Sequence, residues 1–175
     1  MAVQAARRYG AGRVVAAGRN PASLVALPAL GADAVISLDQ PDAALAAAFA
    51  AEAGEGGYDV VADYLWGRPT QVFIDSLIKE DMEVRTLRTR LVQAGEMAGP
   101  AITLPASALR SAGLEVLGLG TGTMPPRELI GELLSDLMER LASGEARVDI
   151  ERVPLADVAE VWNRAQQGRR PVLIP

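Results

Sequence analysis

Few side chains in this chain can do chemistry. Its 175 residues include no Cys and no His. Disulfides, thiolate nucleophiles, Cys/His zinc sites, Ser-His-Asp triads and imidazole acid–base catalysis are therefore excluded within it. The single lysine, Lys79, sits in Ile78-Lys79-Glu80-Asp81. That is a solvated, charged setting, whereas a Schiff-base or general-base lysine needs a desolvated pocket. Tyr64 could donate a proton but has no lysine beside it. Asp59 and Asp63 share one segment and Glu96 lies on another, and their spacing fixes neither a metal nor an acid–base pair. No residue is assigned a catalytic role and none a metal.

Binding chemistry is better represented. Arg13–Ala17 is a short β-branched run, followed by Gly18-Arg19-Asn20-Pro21 and then a helical pattern. In a dinucleotide-binding fold, the turn after the second strand meets the adenosine ribose. An acid there binds the 2′-hydroxyl, while a small residue with an arginine beside it admits a 2′-phosphate. Here the turn has no carboxylate and carries Arg19, which would give a phosphate a charge-assisted contact. The residues alone leave two readings open: an NADP-type corner, or a surface arginine beside an N-cap asparagine in an unrelated α/β protein. A second glycine cluster, Gly118-Leu119-Gly120-Thr121-Gly122, imitates a phosphate loop. However, the third glycine of that motif would fall at Thr123, and Pro125-Pro126 intervene before the next helix. It reads as an ordinary strand-end turn.

The elements that must position these residues alternate. Ala2–Tyr9 is helical and stops at Gly10-Ala11-Gly12. Asn20-Pro21 starts a second helix that runs toward Gly31 and is kinked or ended at Pro28. Asp33–Leu38 is a strand. Pro41-Asp42 opens an alanine-rich helix with Leu45 and Phe49 on its buried side, ending at Gly54–Gly57. Tyr58–Asp63, Thr89–Gly95 and Leu114–Gly120 read as strands. Pro69–Ile78 reads as a helix, and Gly99–Ser111 as a proline-bearing connection. Pro125-Pro126 leads into a helix with Ile130, Leu133, Leu134, Leu137 and Leu141 in one stripe. Arg147–Val153 is a strand. Ala156–Gly168 is a helix burying Val158, Val161, Trp162 and Ala165, and an extended segment closes the chain. Near-continuous apolar strands between helices predict an α/β fold with a parallel sheet covered on both faces.

Composition agrees with one folded core: half the residues are hydrophobic and mean hydropathy is +0.16. A net charge of −5 and a pI near 4.8 argue against nucleic acid or an anionic membrane surface as partner. No apolar run approaches the ~20 residues that span a bilayer. No basic segment precedes an apolar stretch as in a signal peptide, so the chain reads as cytoplasmic.

The run AVQAARRYGAGRVVAAGRNPASL followed by LGADAVISL, then YDVVADYLWG, LVQAGEMAGP, LEVLGLGTG and the closing VPLADVAEVWNRAQQGRRPVLIP resembles the medium-chain dehydrogenase/reductase superfamily. That superfamily contains the zinc-type alcohol dehydrogenases and the quinone oxidoreductases. The likeness covers the nucleotide-binding part and nearly the whole chain. It implies a Rossmann-like domain over residues 1–150. Residues 151–175 would be the C-terminal helix and strand that return to the catalytic domain. It further implies that the family's first strand, glycine-rich phosphate loop and catalytic domain, with any zinc ligands, belong upstream of this chain. The strand at Arg13–Ala17 would then either pair directly with Tyr58–Asp63 or wait for a strand from a complementing chain.

By the same resemblance, the cofactor-binding residues are Gly18, Arg19 and Asn20 at the adenosine end. Asp63, Tyr64, Leu65 and Trp66 lie in the following loop, with Gly95, Glu96, Gly120 and Thr121 near the nicotinamide. The implied activity is NADP-dependent hydride transfer, with cofactor binding weak or absent in the isolated chain and no zinc ligated by it. Leu114–Leu119 would be the edge strand of a homodimer. The alternative is a non-catalytic, dimeric binding or nucleotide-sensing module.

Overall fold

The computed structural model describes all residues except 79–87 and 165–168; Lys79 and Ala165 lie outside the described residues. In chain order the elements are α1 (Ala2–Arg8), β1 (Val15–Gly18), α2 (Pro21–Ala26), β2 (Ala34–Ser37), α3 (Asp42–Ala53), β3 (Val60–Asp63) and α4 (Gly67–Leu77). They continue with β4 (Thr89–Gln93), α5 (Ala106–Ser111), β5 (Leu114–Gly118), α6 (Arg127–Ser143), β6 (Ile150–Pro154), α7 (Val158–Trp162) and β7 (Arg170–Ile174). Every strand pair is parallel, as predicted for this α/β, Rossmann-like class.

Local chemistry explains the boundaries. Asn20 caps α2, its Oδ1 accepting from the amides of Ala22 and Ser23 at 3.0 and 3.3 Å. Pro28 ends α2 and opens a short 3₁₀ turn, Pro28–Leu30, which Gly31 closes at φ 104°. Within Gly99–Ser111, expected as a plain connection, Pro105 instead precedes the six-residue helix α5.

Pairing divides the strands into three groups: β1–β2, β3–β4–β5 and β6–β7. β1 does not pair with β3, so the direct pairing considered from sequence does not form. One core nevertheless joins the first two groups. Ile36 and Leu38 from the β2 segment pack with Leu45 and Phe49 of α3, Phe73 and Ile74 of α4, Leu91 of β4 and Leu114 of β5. The aromatic part is tight: Phe73 meets Phe49 and Tyr58 edge-on at 5.3 and 5.4 Å. The Tyr58 hydroxyl donates to the Phe49 carbonyl at 2.8 Å, and burial pushes its pKa up to about 12.

The stripe of α6 lies open, and one burial expectation, that of α7, is corrected. No residue of α6 is fully buried: Leu133 and Leu134 are 45% and 53% exposed, while Ile130, Leu137 and Leu141 are half-buried. Periodicity selects a face but does not supply the surface that covers it. Trp162 of α7 is 82% exposed, and Val158 and Val161 are half-buried. In this structure α7 is a single turn beside β6–β7, too short to press both its sides onto a core.

Candidate functional site

Parallel α/β sheets bind ligands beyond the C-terminal ends of their strands, and there the chain builds its most organised loops. Asp63 ends β3 and is only 7% exposed. Its carboxylate accepts from the amides of Leu65 (2.8 Å) and Trp66 (3.0 Å) and from the Thr70 hydroxyl (2.7 Å). These contacts hold Trp66 at φ 55°, a left-handed conformation that costs a bulky residue on the order of 1–3 kcal/mol.

The next loop is locked against this one, backbone to backbone. Ala94 N donates to Asp63 O at 2.7 Å, and Ala98 N to Leu65 O at 2.7 Å. Both contacts demand glycine. A Cβ on Gly67, which has φ 58°, would lie 2.6 Å from the Ala98 carbonyl oxygen, and one on Gly95 would lie 2.7 Å from the Tyr64 oxygen.

Between these loops and β5 lies a cavity of about 340 Å³, lined by Trp66, Gln93, Glu96, Pro100, Val116 and Gly118. Of the residues named from sequence, Trp66 and Glu96 line it. Gly95 and Tyr64 do not line it; their backbones pack against each other where the two loops meet. Leu65 packs toward the core, and Asp63 spends its carboxylate on the chain itself. Gly120 and Thr121 belong to the turn after β5, where Gly120 N donates to Thr123 Oγ1 at 3.0 Å. That turn leads into Pro125-Pro126 and not directly into α6. Gly118–Gly122 thus offers no helix N-terminus to a phosphate.

Gly18, Arg19 and Asn20 stand apart, at the end of β1. Leu24 of α2 leaves little room for a side chain at Gly18, the space for a Cβ ending 3.3 Å from Leu24 Cδ2. Arg19 is exposed, and among the described residues no carboxylate pairs with it. The β2 side is stitched to the β3 loop by Arg68, which sequence reasoning missed. Its guanidinium donates to the carbonyls of Leu38 (3.1 Å) and Gln40 (2.5 Å) and to Asp42 (2.8 Å). Gln93, Pro100 and Val116 were missed as well. Of these only Gln93, the last residue of β4, had a position that could have pointed to it; Val116 lies mid-strand and Pro100 in the connection to α5. A larger hollow of about 620 Å³ at β6–β7, lined by Arg152, Pro154, Leu155 and Ile174 among others, presents no acid–base pair.

Residues 30–171 match the sequence profile of the zinc-binding dehydrogenase family. The chain belongs to that family. No curated protein matches the chain by sequence. Solved structures similar to it include AibC (26% identity, TM-score 0.73), covering 99% of this chain and 44% of AibC. The alcohol dehydrogenase of Aeropyrum pernix (22%, TM-score 0.70) covers 99% and 46%. The Escherichia coli quinone oxidoreductase, solved in complex with NADPH (22%, TM-score 0.72), covers 99% and 52%. This chain therefore spans about half the length of the structures it resembles. The alcohol dehydrogenase- and quinone oxidoreductase-like resemblance read from sequence is borne out.

The family name implies zinc, but the residues present do not fit it. The chain has no Cys or His, and among the described residues no three acidic side chains gather closely enough to hold an ion. No described helix is long and apolar enough to cross a membrane.

Proposed function

We propose that this chain is the cofactor-holding portion of an NADP-dependent oxidoreductase of the alcohol dehydrogenase or quinone reductase type, cytoplasmic and inactive alone. The observation that carries this reading is the carboxylate-free turn Gly18-Arg19-Asn20 at the C-terminal end of β1. Asn20 Oδ1 is engaged in capping α2, which leaves the exposed Arg19 guanidinium as the group for a 2′-phosphate. The cavity bounded by Trp66, Gln93 and Glu96 would receive the nicotinamide end. When bound, the cofactor supplies the hydride; this chain's part is to orient it. Residues 151–175 we assign to the return toward a catalytic domain, because among the described residues β6 and β7 pair only with each other.

The test is a titration with NADPH and NADH, followed by nicotinamide fluorescence and calorimetry. We expect NADPH to bind more weakly than about 100 µM, still ahead of NADH, with no turnover of quinones or aldehydes. Micromolar affinity overturns the expectation of weak binding, and turnover overturns the statement that the chain is inactive alone. A preference for NADH overturns the NADP assignment.

A second reading, a dimeric binding module, draws on the outer edge of β5. Thr89 N donates to Gly113 O and Leu119 N to Gln93 O, so the backbone groups of Leu114, Val116 and Gly118 face away from β4. We propose this edge as the homodimer contact.

A further inference from the structure

The cavity between the Trp66 and Glu96 loops has a lining of one electrical character. Of the six residues around it, Trp66, Gln93, Glu96, Pro100, Val116 and Gly118, only Glu96 is ionisable. Glu96 is exposed, and among the described residues no arginine pairs with its carboxylate. Arg88 and Arg90, at the far end of β4 from Gln93, are both engaged by Glu115 of β5. Gln93 spends its side-chain nitrogen on the Gly95 carbonyl at 3.0 Å, so its remaining polar atom, Oε1, is an acceptor.

Trp66 adds an aromatic ring, whose π face carries partial negative charge. The ring is held in place: the Trp66 amide donates to Asp63 at 3.0 Å, and the side chain is half-buried against the core. A Cβ at Gly118 would meet nothing within 4 Å, so the β5 side is open to a flat ligand. A π face, a carboxylate and an amide oxygen, with no opposing cation in the lining, select a cationic ring over a neutral one of the same shape.

We infer that this cavity is selective for a positively charged, N-alkylated pyridine ring, so that it holds the oxidised nicotinamide in preference to the reduced one. That the ring belongs to a nicotinamide cofactor rests on the function proposed above, whereas the charge selectivity rests on the lining. The two ends of the candidate site then carry opposite charges, Arg19 for a phosphate and Glu96 for the ring. That is the charge pattern of the oxidised dinucleotide. Linkage gives the preference a consequence. A site that binds the oxidised form more tightly makes the bound reduced form a stronger hydride donor by the same factor.

The test uses the whole chain and three ligands. 1-Methylnicotinamide is a permanent cation, 6-methylnicotinamide is neutral with the same number of non-hydrogen atoms, and the third is NADP⁺. The readout is NMR at the Trp66 indole N–H and the backbone amides of Gln93 and Glu96. The Trp162 indole, 82% exposed on α7, is the internal control. 1-Methylnicotinamide is expected to move the three cavity resonances and not Trp162, with a Kd at least about threefold below that of 6-methylnicotinamide. Glu96→Gln should bring the two Kd values together. Glu128→Gln, the same charge change on α6, should leave their ratio as it is. NADP⁺ should move the same three resonances. Equal Kd values, equal shifts at the two indoles, a preference that survives Glu96→Gln, or one lost equally in Glu128→Gln overturns the inference. NADP⁺ that shifts Gly18, Arg19 and Asn20 but not the cavity resonances also overturns it, and leaves the phosphate corner standing. A cation preference abolished by Glu96→Gln, with NADP⁺ shifting neither group, supports the charge selectivity and overturns the NADP reading instead.

Discussion

Asp63 illustrates how a residue of the right type can serve the site without touching a ligand. Three internal donors saturate its carboxylate, and the loop they hold presents Trp66 to the cavity. Thr70→Val removes the hydroxyl donor from this buried acceptor and should cost about 1–3 kcal/mol, read as a lower urea midpoint. Gly67→Ala should cost at least as much, because its Cβ would meet the Ala98 carbonyl at 2.6 Å. An unchanged midpoint would show that the two loops can part freely. Asp33 gives a pH signature. The Val14 amide, donating at 2.6 Å, and then Arg7 hold its carboxyl below the usual aspartate value of 3.8. A pKa lowered by folding means that the stabilisation is complete above the usual value. It is lost as pH falls through the lowered one. The midpoint difference between the native chain and Asp33→Asn should therefore be largest near neutrality and vanish in acid. At this scale the sequence displayed Arg19 and the missing acid plainly. It did not display Arg68 or Gln93, whose roles depend on which strand ends meet.

Among the elements, those set by local chemistry were legible: Asn20-Pro21 starting α2, Pro28 ending it, Gly144 closing α6 at φ 79°. α5 was hidden because Pro100 and Pro105 mark a break in regular structure but do not fix the conformation beyond it. The stripe on α6 was legible as a face, but whether it is covered was not, since that requires a surface that local pattern cannot specify. β5 carries the prediction that belongs here. Its outward backbone groups should make the chain a dimer by light scattering. Val116→Pro removes an outward N–H at an edge, where proline is tolerated, and should leave a monomer with an unchanged far-UV spectrum. A dimer that survives the substitution would move the contact elsewhere.

Over the whole molecule, the α/β class, the parallel pairing and the family were legible, because apolar strands alternating with helices leave few arrangements. The division into β1–β2 and β3–β4–β5 was not, since nothing local states whether two strands meet or stand a strand apart. The same division separates the two ends of the candidate site: Gly18-Arg19-Asn20 on one half, the Trp66–Glu96 cavity on the other. The central claim is that the first of these is a phosphate-recognising corner. The most direct test is an NMR titration with 2′,5′-ADP and with 5′-AMP, followed at the amides of Gly18, Arg19 and Asn20. The account predicts shifts at these three with 2′,5′-ADP, much smaller ones with 5′-AMP, and loss of the difference in Arg19→Glu. Equal responses to the two nucleotides, or shifts confined to the β6–β7 hollow, would contradict it.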